Sequence, residues 1–287
     1  MGELTRRLQW SAGVLRLTVS DPAEALERIT ARVKKLAGRT GDIRSLYPLE
    51  TEWHHRIHER LGLEWPCAAT PDFERLWPQI VQAANAQGVQ LGRGTYGGWD
   101  DGDPAFAQAI WCLLTHLRPD KVIETGVARG VTSRVILEAL ERNGAGHLWS
   151  IDLPAMDPSL HQEIGIAVPE GLHGRWTFVA GTSRKVLPEL LAQIGPIELF
   201  VHDSSHTRRN VRFELDQAWR AIGHGAAVAD DVDKSTAFAS FSAPLADEDS
   251  FVAAAEDDQA LFGVAFRDPR AGSRPPDATV QPGDVRP

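Results

Sequence analysis

Lys121–Ser133 reads KVIETGVARGVTS. Val122 and Ile123 are the core of a buried strand that ends in an acid, Glu124. A turn with Gly126 and Gly130 follows, and Thr132 and Ser133 open a helix. A strand that breaks into a glycine turn and a helix N-terminus is where open α/β sheets bind nucleotide-like ligands. The stretch is neither the G-x-G-x-x-G of dinucleotide sites nor the G-K-[ST] of a phosphate loop.

Beyond it the chain alternates. Strands are expected at 147–153, 177–181, 197–203 and 226–232, with helices at 132–142, 183–193 and 208–222 and a loose region from 154 to 175. SFVAAAED and ALFGVAF, joined by Asp257-Asp258-Gln259, read as a terminal hairpin. Strands alternating with helices imply a parallel sheet, here with a closing antiparallel hairpin.

Residues 1–102 read as a helical extension. One helix starts at Asp21-Pro22 and runs to about Leu36, a second covers Leu49–Leu61, and a third starts at Thr70-Pro71 with Phe73, Leu76, Ile80 and Ala83 on one face. Gly88–Gly102 is a glycine-rich loop whose Tyr96, Trp99, Asp100 and Asp101 suit a lid or substrate wall. Asp103-Pro104 caps a helix over Ala105–Leu117 that leads into the sheet domain, 103–268. Residues 269–287, rich in Pro, Gly, Ser and Asp, read as a disordered tail. The extension is expected to roof the site or to mediate homo-oligomer formation.

The net charge of −9 argues against nucleic acid or an anionic membrane as partner. No apolar run spans a bilayer and no secretory signal opens the chain, so a cytoplasmic location is expected. Cys67 and Cys112 are too few for a disulfide framework or zinc site and read as buried free thiols. His54, His55 and His58 contain an i,i+4 pair, but a solvated helix face is the better reading.

The acid followed by G-x-x-x-G resembles motif I of class I S-adenosylmethionine (SAM) methyltransferases. That resemblance implies a Rossmann-like sheet and SAM as cofactor. Gly126 and Gly130 would let backbone approach it, Glu124 would attract its cationic end, and Thr132 its carboxylate. Asp152, ending the second strand, would take the ribose hydroxyls. Gly181-Thr182-Ser183 would line the adenine, with Ser183 as the binding residue.

A second group falls at the next two strand ends: Asp203-Ser204-Ser205-His206, and Asp230-Asp231. Three converging carboxylates repel unless a cation sits among them, and hard oxygen ligands suit Mg²⁺. The arrangement resembles metal-dependent O-methyltransferases of the catechol type and, more closely, those that modify macrolide sugars. It implies Asp203, Asp230 and Asp231 as metal ligands and His206 as general base. The common D-G-D-H form lacks its middle acid here. The expected reaction is methylation of a small-molecule hydroxyl, on a sugar or phenolic group of a specialised metabolite or glycolipid. The alternatives are an NAD-dependent oxidoreductase, which lacks its glycine fingerprint here, and a non-catalytic SAM-binding protein.

Overall fold

The computed structural model describes residues 43–96, 99–153, 158–256 and 260–268, with isolated positions 18, 22, 25, 26, 29 and 30. All six isolated positions are helical; the rest of the Asp21–Leu36 helix and the 269–287 tail lie outside the described residues.

Seven strands form one sheet: β3 (Lys121–Thr125), β4 (His147–Asp152), β5 (Trp176–Ala180), β6 (Ile197–His202), β7 (Ile222–Ala229), β8 (Ser250–Ala254) and β9 (Leu261–Arg267). Their order is β5-β4-β3-β6-β7-β9-β8. The pairs among β3 to β7 are parallel, while β9 runs antiparallel to both β7 and β8. This is the expected mostly parallel, Rossmann-like sheet with a closing antiparallel pair. The order reverses between β3 and β6, which opens a crevice at their C-terminal ends.

Both faces of the sheet are buried, which explains strands that are apolar almost throughout. Successive side chains divide between two cores. Val122, Leu199, Val201 and Val228 face one, whereas Ile123, Phe200 and Ala227 face the other. The first core is covered by α1 (Trp53–Leu61), α2 (Thr70–Ala86), α3 (Pro104–Leu117) and α4 (Val131–Asn143). The second is covered by α5 (Ser183–Ile194), α6 (Arg208–Ala221) and α7 (Ala237–Ser242). Helices α1 and α2 supply Trp53, Ile57, Phe73, Leu76 and Ile80 to the same core as the sheet. Ala84 takes the buried position expected of Ala83. Asp103 caps α3 by accepting the Phe106 amide at 2.7 Å.

Two expectations are corrected. The glycine-rich segment is not an open loop: β1 (Gly92–Tyr96) and β2 (Trp99–Asp101) pair as an antiparallel hairpin. Glycine is a poor strand former, and here the pairing is held from outside by Arg129, as described below. The histidine face of α1 is not solvated either. His58 is fully buried and His54 stacks on Trp53 and Trp65, leaving His55 exposed. Among the described residues, no helix is long and apolar enough to cross a membrane.

Candidate active site

Sheet register assembles the site. Thr125 pairs with Ile151 on one side and His202 on the other, and His202 pairs with Ala229. The next position along each strand is therefore Asp152, Gly126, Asp203 and Asp230, in one row past the sheet edge. Amides tie this row to its neighbours: Gly126 to the Ile151 carbonyl (2.9 Å), Asp203 to Thr125 (2.8 Å) and Asp230 to His202 (2.9 Å). Three acids and one glycine thus share an edge.

Gly126 has φ 87°, and a Cβ there would lie 1.9 Å from the Asp203 backbone oxygen. Gly130 has φ 80°, and its Cβ would meet the Gly165 Cα at 2.9 Å. Both close approaches are to the chain's own backbone, where ligand contact had been the expected reason for glycine.

Glu124 is fully buried. One of its oxygens accepts from Ser133 (2.6 Å) and Ser150 (2.7 Å), and the other has no protein partner. Burial pushes its carboxyl up to about 7, against the two serine hydrogen bonds. Asp152 turns inward: its Oδ2 accepts the Val127 and Ala128 amides at 3.0 and 3.1 Å, so the acid braces the glycine loop itself. Thr132 lies half-buried in the first turn of α4. Ser183 donates to Asn210 Oδ1 at 3.3 Å, away from the row of acids.

Asp203, His206 and Asp230 come together, their ligand atoms all within 4.8 Å of one another. Burial first, then neighbouring acids, pushes both carboxyls well above the ordinary range, and Asp203 hydrogen-bonds Asp230. Two carboxyls enclosed side by side disfavour double ionisation. Asp231 stands outside this trio, which departs from the expected metal set. Its left-handed backbone (φ 51°) turns the carboxylate to His206 Nε2 at 3.6 Å and to Lys234 Nζ at 3.5 Å. His206 Nδ1 is buried without a partner. Burial lowers the His206 pKa while Asp231 raises it, with a net downward shift, so the ring is neutral at neutral pH.

Under this edge lies a second network. Glu214 of α6 is fully buried and accepts from Thr125 Oγ1 (2.6 Å), His202 Nδ1 (2.6 Å), Asn210 Nδ2 (2.8 Å) and the Ser204 hydroxyl (2.9 Å). Burial alone would raise its carboxyl, yet His202 and these donors pull it down to about 2. Ser204, which stands in the D-x-x-H segment, thereby anchors the Asp203–His206 loop.

Sequence reasoning missed Arg129, the variable residue of the glycine loop. Its guanidinium is buried and meets Asp101 (3.1 Å), Glu163 (2.8 Å) and the carbonyls of Gln90 (3.1 Å) and Thr95 (2.9 Å), and it lies 5.4 Å from the Tyr96 ring centre. One side chain thus holds the β1–β2 hairpin over the loop. The hairpin reaches the site: Asp152 adds to the burial that raises the Tyr96 pKa, and Asp101 acts on Asp203.

Residues 123–232 match the model of a protein family described as a methyltransferase domain. The match runs from within β3 to just past β7 and takes in the glycine loop. No curated protein matches the chain. Solved structures similar to it include a putative O-methyltransferase from Klebsiella pneumoniae (14% identity over 66% of this chain and 88% of that one, TM-score 0.49). Another is the O-methyltransferase of Bacillus cereus in complex with SAH (11%, 66% and 90%, 0.49). A third is TomG from Streptomyces achromogenes, involved in tomaymycin synthesis, in complex with SAM (15%, 66% and 87%, 0.49).

Proposed function

We propose that this protein is an O-methyltransferase that moves the methyl group of SAM to a hydroxyl oxygen of a small molecule, a sugar or phenolic group, with help from Mg²⁺. The observation that carries the reading is the Asp203–His206–Asp230 trio, one strand away from the Gly126 loop. SAM supplies an electrophilic methyl on a sulfonium. A divalent cation held by Asp203 and Asp230 would lower the pKa of a nearby hydroxyl. The donor set fits such an ion, because two enclosed, adjoining carboxyls form a hard oxygen pair.

The chain's residues do the rest. Asp231 holds His206 by Nε2, which leaves Nδ1 free to face the substrate. Burial keeps that nitrogen neutral and able to accept a proton. The substrate O–H bond breaks towards Nδ1, the oxygen forms a bond to the methyl carbon, and the carbon–sulfur bond breaks to release S-adenosylhomocysteine. Glu124, with one unpartnered oxygen, offers a buried carboxyl to the cofactor's cationic end. The hairpin held by Arg129 keeps water from the reacting atoms and aligns the acceptor.

The test is methyl transfer from SAM to a panel of hydroxylated acceptors, with and without EDTA, for the unmodified chain and for His206→Ala. The reading expects turnover that chelation abolishes and that the variant reduces by about 10²–10⁴-fold. Absence of both methylation and SAM binding sinks it. Turnover that survives full chelation removes the cation from the mechanism.

A further inference from the structure

Four side chains that the methyl-transfer site does not use meet on the other side of α3. Cys112 and His116 stand one turn apart on that helix, His58 comes from the last turns of α1, and Cys67 from the loop before α2. The ligand atoms of His58, Cys67 and Cys112 all lie within 4.8 Å of one another. The His116 ring centre is 5.1 Å from that of His58.

The chemistry of the cluster is unfinished. His58 and Cys112 are fully buried. His58 Nδ1 donates to the His54 carbonyl at 2.7 Å, so Nε2 presents a lone pair. That Nε2 has no hydrogen-bond partner, and neither has His116 Nε2. A buried polar atom without a partner is costly, and here two occur on neighbouring rings. Trp65 packs on His58 at 4.9 Å and closes the cluster on one side.

We propose that His58, Cys67, Cys112 and His116 form a tetrahedral structural zinc site that staples the N-terminal helices to the methyltransferase domain. Two thiolates and two imidazoles are a zinc ligand set, and four protein ligands leave no open position for catalysis. Zinc–sulfur and zinc–nitrogen bonds of about 2.0–2.3 Å give a tetrahedron with edges of about 3.3–3.8 Å. The 4.8 Å span of His58, Cys67 and Cys112 closes to that size with small side-chain movements, and the neighbouring His116 ring stands where a fourth ligand is needed. The outer ligation habit of zinc is also met, since His58 gives its other nitrogen to a backbone carbonyl.

The site ties segments that are distant in sequence. It fixes α1 and the 62–69 loop against α3, whose N-terminus at Asp103 leads from the hairpin over the active site. The expected readout of metal loss is therefore a change in stability as well as in metal content.

The experiment uses the full chain, produced with added zinc in reductant, washed with EDTA and desalted. Elemental analysis is expected to find about one zinc per chain. Asp203→Asn, which disables the acidic trio, is expected to keep that zinc, whereas Cys67→Ser and Cys112→Ser lose at least about nine-tenths of it. Since either serine variant can fail to fold, cobalt is exchanged into the unmodified chain. Thiolate-to-cobalt charge-transfer bands together with tetrahedral d–d bands are expected. A stronger chelator is expected to lower Tm by about 5 °C or more. Zinc that stays in both serine variants, a cobalt spectrum without thiolate bands, or two thiols that react freely in the zinc-loaded folded chain overturns the proposal. So does a mass two hydrogens light, which marks a Cys67–Cys112 disulfide. Failure of methyl transfer leaves all these readouts unchanged, so the two proposals stand or fall separately.

Discussion

Replacing Gly126 with alanine tests the register argument most directly. The substitution adds two costs. At φ 87° an L residue is strained, which costs about 1–2 kcal/mol. The new Cβ would also stand 1.9 Å from the Asp203 carbonyl oxygen, more than an ångström inside the 3.0 Å that real Cβ atoms respect. That oxygen is backbone, so no rotamer change relieves the contact and either β3 or β6 must move; overpacking of this kind costs about 1–3 kcal/mol. Gly144 is the control, with φ 68° and nothing within 4 Å of its Cβ position. Gly144→Ala therefore carries the backbone strain alone, at about 1 kcal/mol. Gly126→Ala should cost about 2–5 kcal/mol, which lowers Tm by about 4–20 °C for a chain of this size, against about 2–4 °C for the control. Because the displaced atom belongs to Asp203, methyl transfer should fall even at temperatures where the variant is folded. Differential scanning calorimetry of both variants decides the matter. Equal melting temperatures would refute the claim that Gly126 is required by the approach of the two strand ends.

Two further outcomes are expected. Arg129→Lys keeps the charge but loses the fork that meets Asp101, Glu163 and two carbonyls, at a cost of about 3 kcal/mol for a broken buried pair. Limited proteolysis should then cut within residues 90–101, and an unchanged digestion pattern contradicts the stapling role. In urea melts across pH, the two buried glutamates act with opposite signs. Glu214, held at about 2, adds stability that is complete above its unfolded value near 4.5 and is lost as pH falls towards 2. Glu124, raised to about 7, binds a proton the unfolded chain releases, so its contribution falls as pH rises from about 4.5 to 7. Glu214→Gln should flatten the acid limb only, and a limb left unchanged disproves the assignment.

Much of the sheet can be read in the sequence because the strands are rich in apolar residues and each parallel one ends at, or is followed by, an acid or glycine. Asp152, Asp203 and Asp230 could be assigned to strand ends for that reason, and the register brings the last two together. What the sequence does not carry is direction. Nothing in Asp230-Asp231 says that the second acid turns away on a left-handed backbone, or that Asp152 spends an oxygen on loop amides. The hairpin at 92–101 was hidden because glycine masks the strand pattern and because its support, Arg129, is some thirty residues distant in the chain. His58, Cys67, Cys112 and His116 follow no local ligand spacing except the last pair, and only the packing of α1 on α3 brings them together.

The reversed strand has a consequence for how the protein is made. Leu261–Arg267 lies between β7 and β8, so during synthesis Ile222–Ala229 emerges as an uncovered sheet edge and stays one until its partner leaves the ribosome. That edge is apolar and nearly side-chain-free, with Ala226, Ala227 and Ala229 along it, and it directly precedes Asp230. An unpaired edge of this kind is a template for wrong pairing with other chains. The nascent protein is thus most exposed to aggregation in the interval between residues 230 and 267. A stalled or prematurely terminated product ending there would be a hazard to its neighbours as well as an inactive enzyme.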